Sequence, residues 1–192
     1  MHSLTKIKIG VMGSAADISM DPKHEWLVRR AVALGKAISK RNAVLLTGAT
    51  TGLVYVVGKT AHDAGLIHIG VSPAQNKQEH RDSYALPTDA CDVVIYTGFG
   101  LKGRNVVLVR SCDVVLFIAG AMGSLNEFTI AHDEGKVIGC LTNTGGVADQ
   151  ADYLLNTFGK QKSSQVFQNE DPDRLLDSCI AALGGQVLLD QI

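Results

Sequence analysis

The chain has 192 residues, 46% of them hydrophobic and 19% charged, an ordinary globular composition for one domain that hides roughly 70% of its unfolded surface. Its 18 basic and 19 acidic side chains leave a formal charge of −1, so no basic field exists to hold a nucleic acid. No apolar run approaches the roughly 20 residues that span a bilayer, and Lys6 and Lys8 fall inside a strand pattern rather than ahead of an apolar signal region. The expectation is a cytoplasmic protein without a membrane partner.

In chain order, Lys6–Met12 reads as a first strand, and Trp26–Lys40 as a helix whose Leu27, Ala31, Leu34 and Ile38 form one apolar stripe. Ala43–Thr47 is nearly continuous in apolar residues, as in a parallel strand covered on both faces. Leu53–Ala64 returns to the helical period, Gly65 stands where a helix ends, and Leu66–Val71 is the next strand. The polar stretch Pro73–Ala90 predicts a long loop, read either as a lid over a site or as a surface excursion. Strand Asp92–Tyr96, helix Arg104–Ser111, strand Asp113–Ile118, helix Leu125–Glu134 and strand Lys136–Leu141 follow. Asp149–Phe158 reads as a helix and Gln165–Phe167 as a short edge strand. Asp171-Pro172 opens a last helix to Leu183, closed by Gly184-Gly185.

Repeated β-α-β units predict a three-layer, doubly wound α/β fold of the Rossmann kind, a mostly parallel sheet with helices on both faces, as a single domain over residues 1–192. Cys91, Cys112, Cys140 and Cys179 stand far apart with no C-x-x-C pair, and the histidines share no ligand spacing, so no metal site is expected. His68, inside an apolar strand, reads as a satisfied core residue.

Ligands of such sheets bind beyond the carboxyl ends of the strands. Four of those ends are rich in small and hydroxyl residues: Gly13-Ser14, Thr47-Gly48-Ala49-Thr50, Thr97-Gly98, and Ala119-Gly120-Ala121-Met122-Gly123-Ser124. Glycine lets backbone approach a ligand, and the helix that follows aims free N–H groups at a phosphate. Ser124 adds a hydroxyl. Neither the G-x-G-x-x-G nor the G-x-x-x-x-G-K-[ST] pattern is present, which disfavours ordinary NAD binding and NTP hydrolysis. Glu127, one helical turn past Gly123, is a candidate to address a sugar or a scissile bond. Arg104, read as opening its helix, is a candidate to pair with Glu127 or grip a phosphate.

Arg104, Asp113 and Ala119–Glu127 resemble the LONELY GUY (LOG) family, once labelled lysine decarboxylase-like, whose signature is P-G-G-x-G-T-x-x-E after an upstream E-R-K. The Arg104-to-Glu127 step matches the spacing of that family's essential pair. Thr47–Leu53 is similar to its G-G-G-x-x-G-L-M turn, and Gly13-Ser14 to its first-strand G-S. The resemblance spans about Ile7 to Leu141. It implies hydrolysis of the N-glycosidic bond of a nucleoside 5′-monophosphate, with Arg104 and Glu127 as the catalytic pair. In that reading Gly13, Ser14, Thr47, Gly48, Ala49, Thr50, Gly98, Asn105, Gly120, Ala121, Met122, Gly123 and Ser124 hold the nucleotide. It implies no required metal or redox cofactor, and a homodimer or larger homo-oligomer. Departures from the signature lie at Ala119, Ala121, Ser124 and Gly103-Arg104-Asn105. They look more like the branch that includes molybdenum cofactor carrier proteins, in which the same cradle would hold a molybdopterin-type phosphate without chemistry. Both an enzyme and a carrier or nucleotide sensor stay open at this point.

Overall fold

Unbroken apolar runs become the centre of the sheet. Val114–Ile118 and Val137–Leu141 are buried at every position, as strands sandwiched between helical layers must be. The computed structural model describes residues 6–159 and 164–189. Its strands are β1 (Ile7–Gly13), β2 (Ala43–Thr47), β3 (His68–Ser72), β4 (Val93–Tyr96), β5 (Val114–Ile118), β6 (Val137–Leu141) and β7 (Gln165–Asn169). The helices are α1 (His24–Ser39), α2 (Gly52–Asp63), α3 (Lys77–Asp82), α4 (Gly100–Arg110), α5 (Met122–Asp133), α6 (Gly146–Asp149), α7 (Ala151–Phe158) and α8 (Pro172–Leu189). The strands form one sheet in the order β4-β3-β2-β1-β5-β6-β7, and every pairing is parallel.

Two cores flank this sheet. One packs Leu27, Leu34 and Ile38 of α1, Leu53 and Val57 of α2, and Leu175 and Leu176 of α8 against Ile9, Leu45 and Leu116. The other packs Leu108, Phe128 and Ala148 against Met12, Val115, Phe117 and Ile138. The chain reverses direction across the sheet between β1 and β5. Loops leaving the carboxyl ends of these two strands part there and open a crevice.

Four local expectations are corrected. Pro73–Ala90 is not a featureless loop, because Asn76 accepts from the Glu79 N–H (2.9 Å) while Glu79 accepts from the Gln75 N–H (2.7 Å), a reciprocal cap that starts α3. Nor is it a lid: His80 is fully buried and pins the segment to Ser72 (2.8 Å) and to the Pro87 carbonyl (3.1 Å). Helix α4 starts at Gly100, so Arg104 lies in its second turn rather than opening it. Helix α8 continues through Gly184-Gly185 to Leu189, since glycine inside a helix costs only about 1 kcal/mol and no proline follows to stop it.

A buried histidine shapes the end of β2. His68 Nδ1 donates to the Ala90 carbonyl, which leaves Nε2 to accept from the Thr47 hydroxyl at 2.8 Å, and that hydroxyl accepts from the Ala49 N–H at 3.2 Å. His68 is thus a satisfied core residue, as expected. Burial drives its value down from 6.5 to about 4, against the partial support of the Ala90 carbonyl. An unfolded imidazole therefore binds a proton that the folded one refuses between those values. The stabilisation is complete above pH 6.5 and is lost toward pH 4, by about 3 kcal/mol. Urea unfolding of wild type and His68→Gln across pH 7 to 4.5 tests this. The stability gap between them should narrow as pH falls, and a gap independent of pH contradicts the assignment.

Candidate functional site

The four glycine-rich strand ends are not equivalent, because the turns into α2 and α4 place N–H groups on the protein's own carbonyls. At the start of α2 the Leu53 N–H donates to the Ser14 carbonyl (2.9 Å), and the Thr51 hydroxyl donates to the Ala15 carbonyl (2.6 Å). These bonds fasten the loop after β1 onto the turn after β2. At the start of α4 the N–H groups of Gly98 and Gly100 donate to the carbonyls of Ala74 and Pro73. Helix α5 differs. Its first helical bond runs from the Leu125 N–H to the Ala121 carbonyl (2.9 Å), and no capping side chain precedes it. The N–H groups of Met122, Gly123 and Ser124 have no helical acceptor, and Ala121, Gly123 and Ser124 line the crevice beside β1.

That crevice is a cleft of about 310 Å³, the lower end of the range for small-molecule sites. It brings together ten of the predicted residues: Gly13, Ser14, Gly48, Thr50, Arg104, Asn105, Ala121, Gly123, Ser124 and Glu127. The other five lie behind or beside it. Thr47 is buried on His68, Ala49 forms the turn at φ 48°, and Gly120 forms the next one at φ 103°. Gly98 packs on Gln75, and the Met122 side chain is 74% exposed. Ser124 does not offer a free hydroxyl proton, because its Oγ donates to the Gly13 carbonyl at 3.0 Å and ties α5 to β1. Sequence reasoning missed the floor of the cleft, Val11 and Met12, and its rim at Leu101 and Lys102. Lys102 and Asn105, three apart on one helix, were a readable signal for the rim.

Arg104 is the structural centre of the cleft. Its Nη1 donates both to the Gly48 carbonyl and to the Val71 carbonyl (2.9 Å), joining α4 to the ends of β2 and β3. The guanidinium is buried, and its Nε has no hydrogen-bond partner among the described residues. Burial weakens its hold on the proton and the charge of Glu127 restores part of it. Of the two roles open to Arg104, direct pairing with Glu127 is not formed: among the described residues no ion pair joins them, and Arg104 holds backbone while Glu127 acts on it across space. A side chain at Gly48 would collide with the guanidinium, which is why that position is glycine.

Glu127 is 7% exposed. Burial pushes its carboxyl up from 4.5 to about 7, while Arg104 and Lys102 pull it down. With its amide nitrogen turned toward the acceptors, Asn105 donates to Glu127 Oε1 (3.1 Å) and to the Leu101 carbonyl (3.0 Å). The cleft thus presents a carboxyl that changes charge near neutrality, a fixed guanidinium and a helix N-terminus, all within one crevice. Among the described residues no group of histidine, cysteine or carboxylate side chains could hold a metal.

Comparison with known proteins accords with this geometry. The model of the SLOG cluster4 family matches residues 6–176. The chain belongs to the SLOG cluster4 family. The X-ray structure of TM1055 superposes with a TM-score of 0.78 at 23% identity, over 92% of this chain and 99% of that one. The molybdenum cofactor binding protein of the phototrophic bacterium Rippkaea orientalis gives 0.70 at 26% identity, over 94% and 99%. The molybdenum cofactor carrier protein of Chlamydomonas reinhardtii gives 0.66 at 23%, over 94% and 99%. This SLOG chain therefore stands in the Rossmann-like LOG superfamily, in the branch whose fold resembles that of molybdenum cofactor carriers. No helix among its described residues is long and apolar enough to cross a membrane.

A carboxyl whose folded value is raised contributes stability below its unfolded value and loses it as pH rises through the folded one. Burying Glu127 therefore costs the ligand-free protein about 3 kcal/mol above pH 7 and nothing at pH 4. Glu127→Gln should be more stable than wild type above pH 7, with the gain growing from pH 4.5 to 7. Thermal melts across that range decide it, and a constant offset counts against the assignment. Gly48→Ala should displace the guanidinium and destabilise the fold by about 2–4 kcal/mol, read by urea unfolding.

Proposed function

We propose that the cleft binds a small phosphorylated ligand, a nucleotide or a molybdopterin-type phosphate, and acts as a carrier or sensor of it. The observation that carries this reading is the start of α5, where the N–H groups of Met122, Gly123 and Ser124 have no acceptor among the described residues, whereas the Leu53 N–H of α2 and the Gly100 N–H of α4 are held by the carbonyls of Ser14 and Pro73. Arg104 adds a buried positive charge beside it. Gly13 and Gly48 keep the opposite wall close to backbone, and Ser14, Thr50 and Asn105 supply polar contacts to the rest of the ligand. The likeness to the Rippkaea orientalis molybdenum cofactor binding protein supports the pterin form of the ligand. In a carrier the cofactor is cargo, so no resident metal ligands are required of this chain.

A second reading, hydrolysis of a nucleoside 5′-monophosphate, is favoured by Glu127. A carboxyl poised near pH 7 can take a proton from water or carry a sugar hydroxyl as positive charge grows on the ribose. Arg104 would then hold Gly48 and the turn in place, and through its charge keep Glu127 ionised part of the time. Chromatographic assay of free adenine from AMP separates the two. A carrier releases none, retains AMP or a pterin phosphate on purification, and binds it in Glu127→Gln. A hydrolase releases adenine, and Glu127→Gln lowers the rate at least 100-fold.

The homo-oligomer reading rests on a different observation. Ile69, Val93 and Ile95 share one face of β3 and β4, and Val93 and Ile95 are 51% and 48% exposed. Beyond the buried Val71 the β4 edge of this face is apolar and bare, and the exposed Phe99 and Leu101 at the start of α4 offer it a covering layer from a two-fold-related copy. Val93→Lys with Ile95→Lys should convert the assembly to a 20.4 kDa monomer in light scattering. A wild-type protein that is already monomeric at micromolar concentration refutes the dimer.

A further inference from the structure

Three charged side chains line the cleft: Lys102, Arg104 and Glu127. While Glu127 is ionised it balances Arg104 in formal charge, and Lys102 then decides the sign of the site. The three differ in freedom. Arg104 is held by two carbonyls, and Glu127 is buried beneath Asn105. Lys102 is exposed, and among the described residues it has neither a hydrogen-bond nor an ion-pair partner.

Its place on α4 makes this freedom informative. Lys102 is the third residue of the helix, within the first turn, where the helix dipole disfavours a cation, and no acidic residue in that turn compensates. A neutral or acidic side chain would serve the isolated helix better. Lys102 nevertheless lines the cleft and acts on Glu127 across it, so its charge is felt at the ligand position. A flexible four-carbon stem lets an ammonium follow an incoming anion, which a guanidinium pinned by two carbonyls cannot do.

We propose that Lys102 is the specificity-determining residue of the cleft, an ammonium at the rim that selects phosphate monoesters over their unphosphorylated counterparts. This rests on the phosphate-binding reading given above and adds the residue that discriminates. The free N–H groups of α5 orient the phosphate, but they carry no net charge. With Glu127 ionised, a dianion enters a site of zero formal charge without Lys102 and a site of +1 with it. A nucleoside, which brings no charge, gains nothing from this residue.

Calorimetric titration of wild type, Lys102→Ala and Lys102→Arg with AMP and with adenosine tests the assignment, alongside the thermal stabilisation given by millimolar inorganic phosphate. Lys102→Ala should bind AMP about tenfold more weakly, bind adenosine as wild type does, and lose most of the phosphate-induced stabilisation. Lys102→Arg should retain AMP binding within about threefold, and the AMP affinity of Lys102→Ala should depend less steeply on salt. If wild type responds to phosphate or AMP and Lys102→Ala matches it, or if AMP and adenosine weaken alike, the role of Lys102 is overturned while phosphate binding stands. If wild type responds to neither phosphate nor AMP, both readings fall together.

Discussion

A buried guanidinium that faces no carboxylate at bonding distance must take its partners from backbone, and Arg104 finds them through Nη1 at the ends of β2 and β3. Parallel strands end with carbonyls pointing out of the carboxyl edge. Those of Gly48 and Val71 are both taken by Arg104 Nη1. One side chain thereby sets the height of α4 over the ends of β2 and β3. It also sets the place of Asn105, and through Asn105 that of Glu127. Leaving such a charge without its carbonyls costs several kcal/mol, so the turn after β2 must keep its shape for the cleft to exist. Glycine at position 48 and the hydroxyl of Thr47 are the two conditions for that shape.

The same device secures neighbouring strand ends. Thr47 closes β2, accepts the N–H two residues on and bonds His68. Ser72 closes β3, accepts the N–H of Ala74 and bonds His80. Each histidine then reaches a carbonyl in the segment between α3 and β4, Ala90 for His68 and Pro87 for His80. A stretch of sequence that is almost wholly polar is therefore anchored from below by two buried rings.

Much of this architecture was legible in the chain. Continuous apolar runs marked β2, β5 and β6, the stripe from Leu27 to Ile38 marked α1, and glycine-rich turns marked the carboxyl edge of the sheet, where the cleft lies. Helix α3 was legible too, in Asn76-x-x-Glu79, but its short length and polar neighbours hid it. The role of Arg104 was not. Spacing relates it to Glu127, and only the register of β2, β3 and β4 shows that two carbonyls lie nearer. The difference between the glycine turns was equally hidden, since it depends on which N–H groups the loop after β1 consumes. Sequence pattern locates donors, and tertiary contact decides which of them remain free.

The two departures at Ala119 and Ala121 have different physical meanings. Ala121 sits at φ −117°, outside the left-handed region that favours glycine, and its methyl is exposed at the rim. Ala119 sits at φ 51°, and its N–H is accepted by the Thr144 hydroxyl at 2.9 Å. Proline fits neither fact, because its ring holds φ near −65° and it has no N–H to give. The turn after β5 is thus built on a left-handed alanine bonded to the turn after β6, at a cost of about 1 kcal/mol. Together with the buried carboxyl of Glu127, this gives the ligand-free cleft two unfavourable features side by side. Both lie against the start of α5, where a bound anion would stand among free N–H groups. The remaining fold, with its two closed cores, holds that local cost in place.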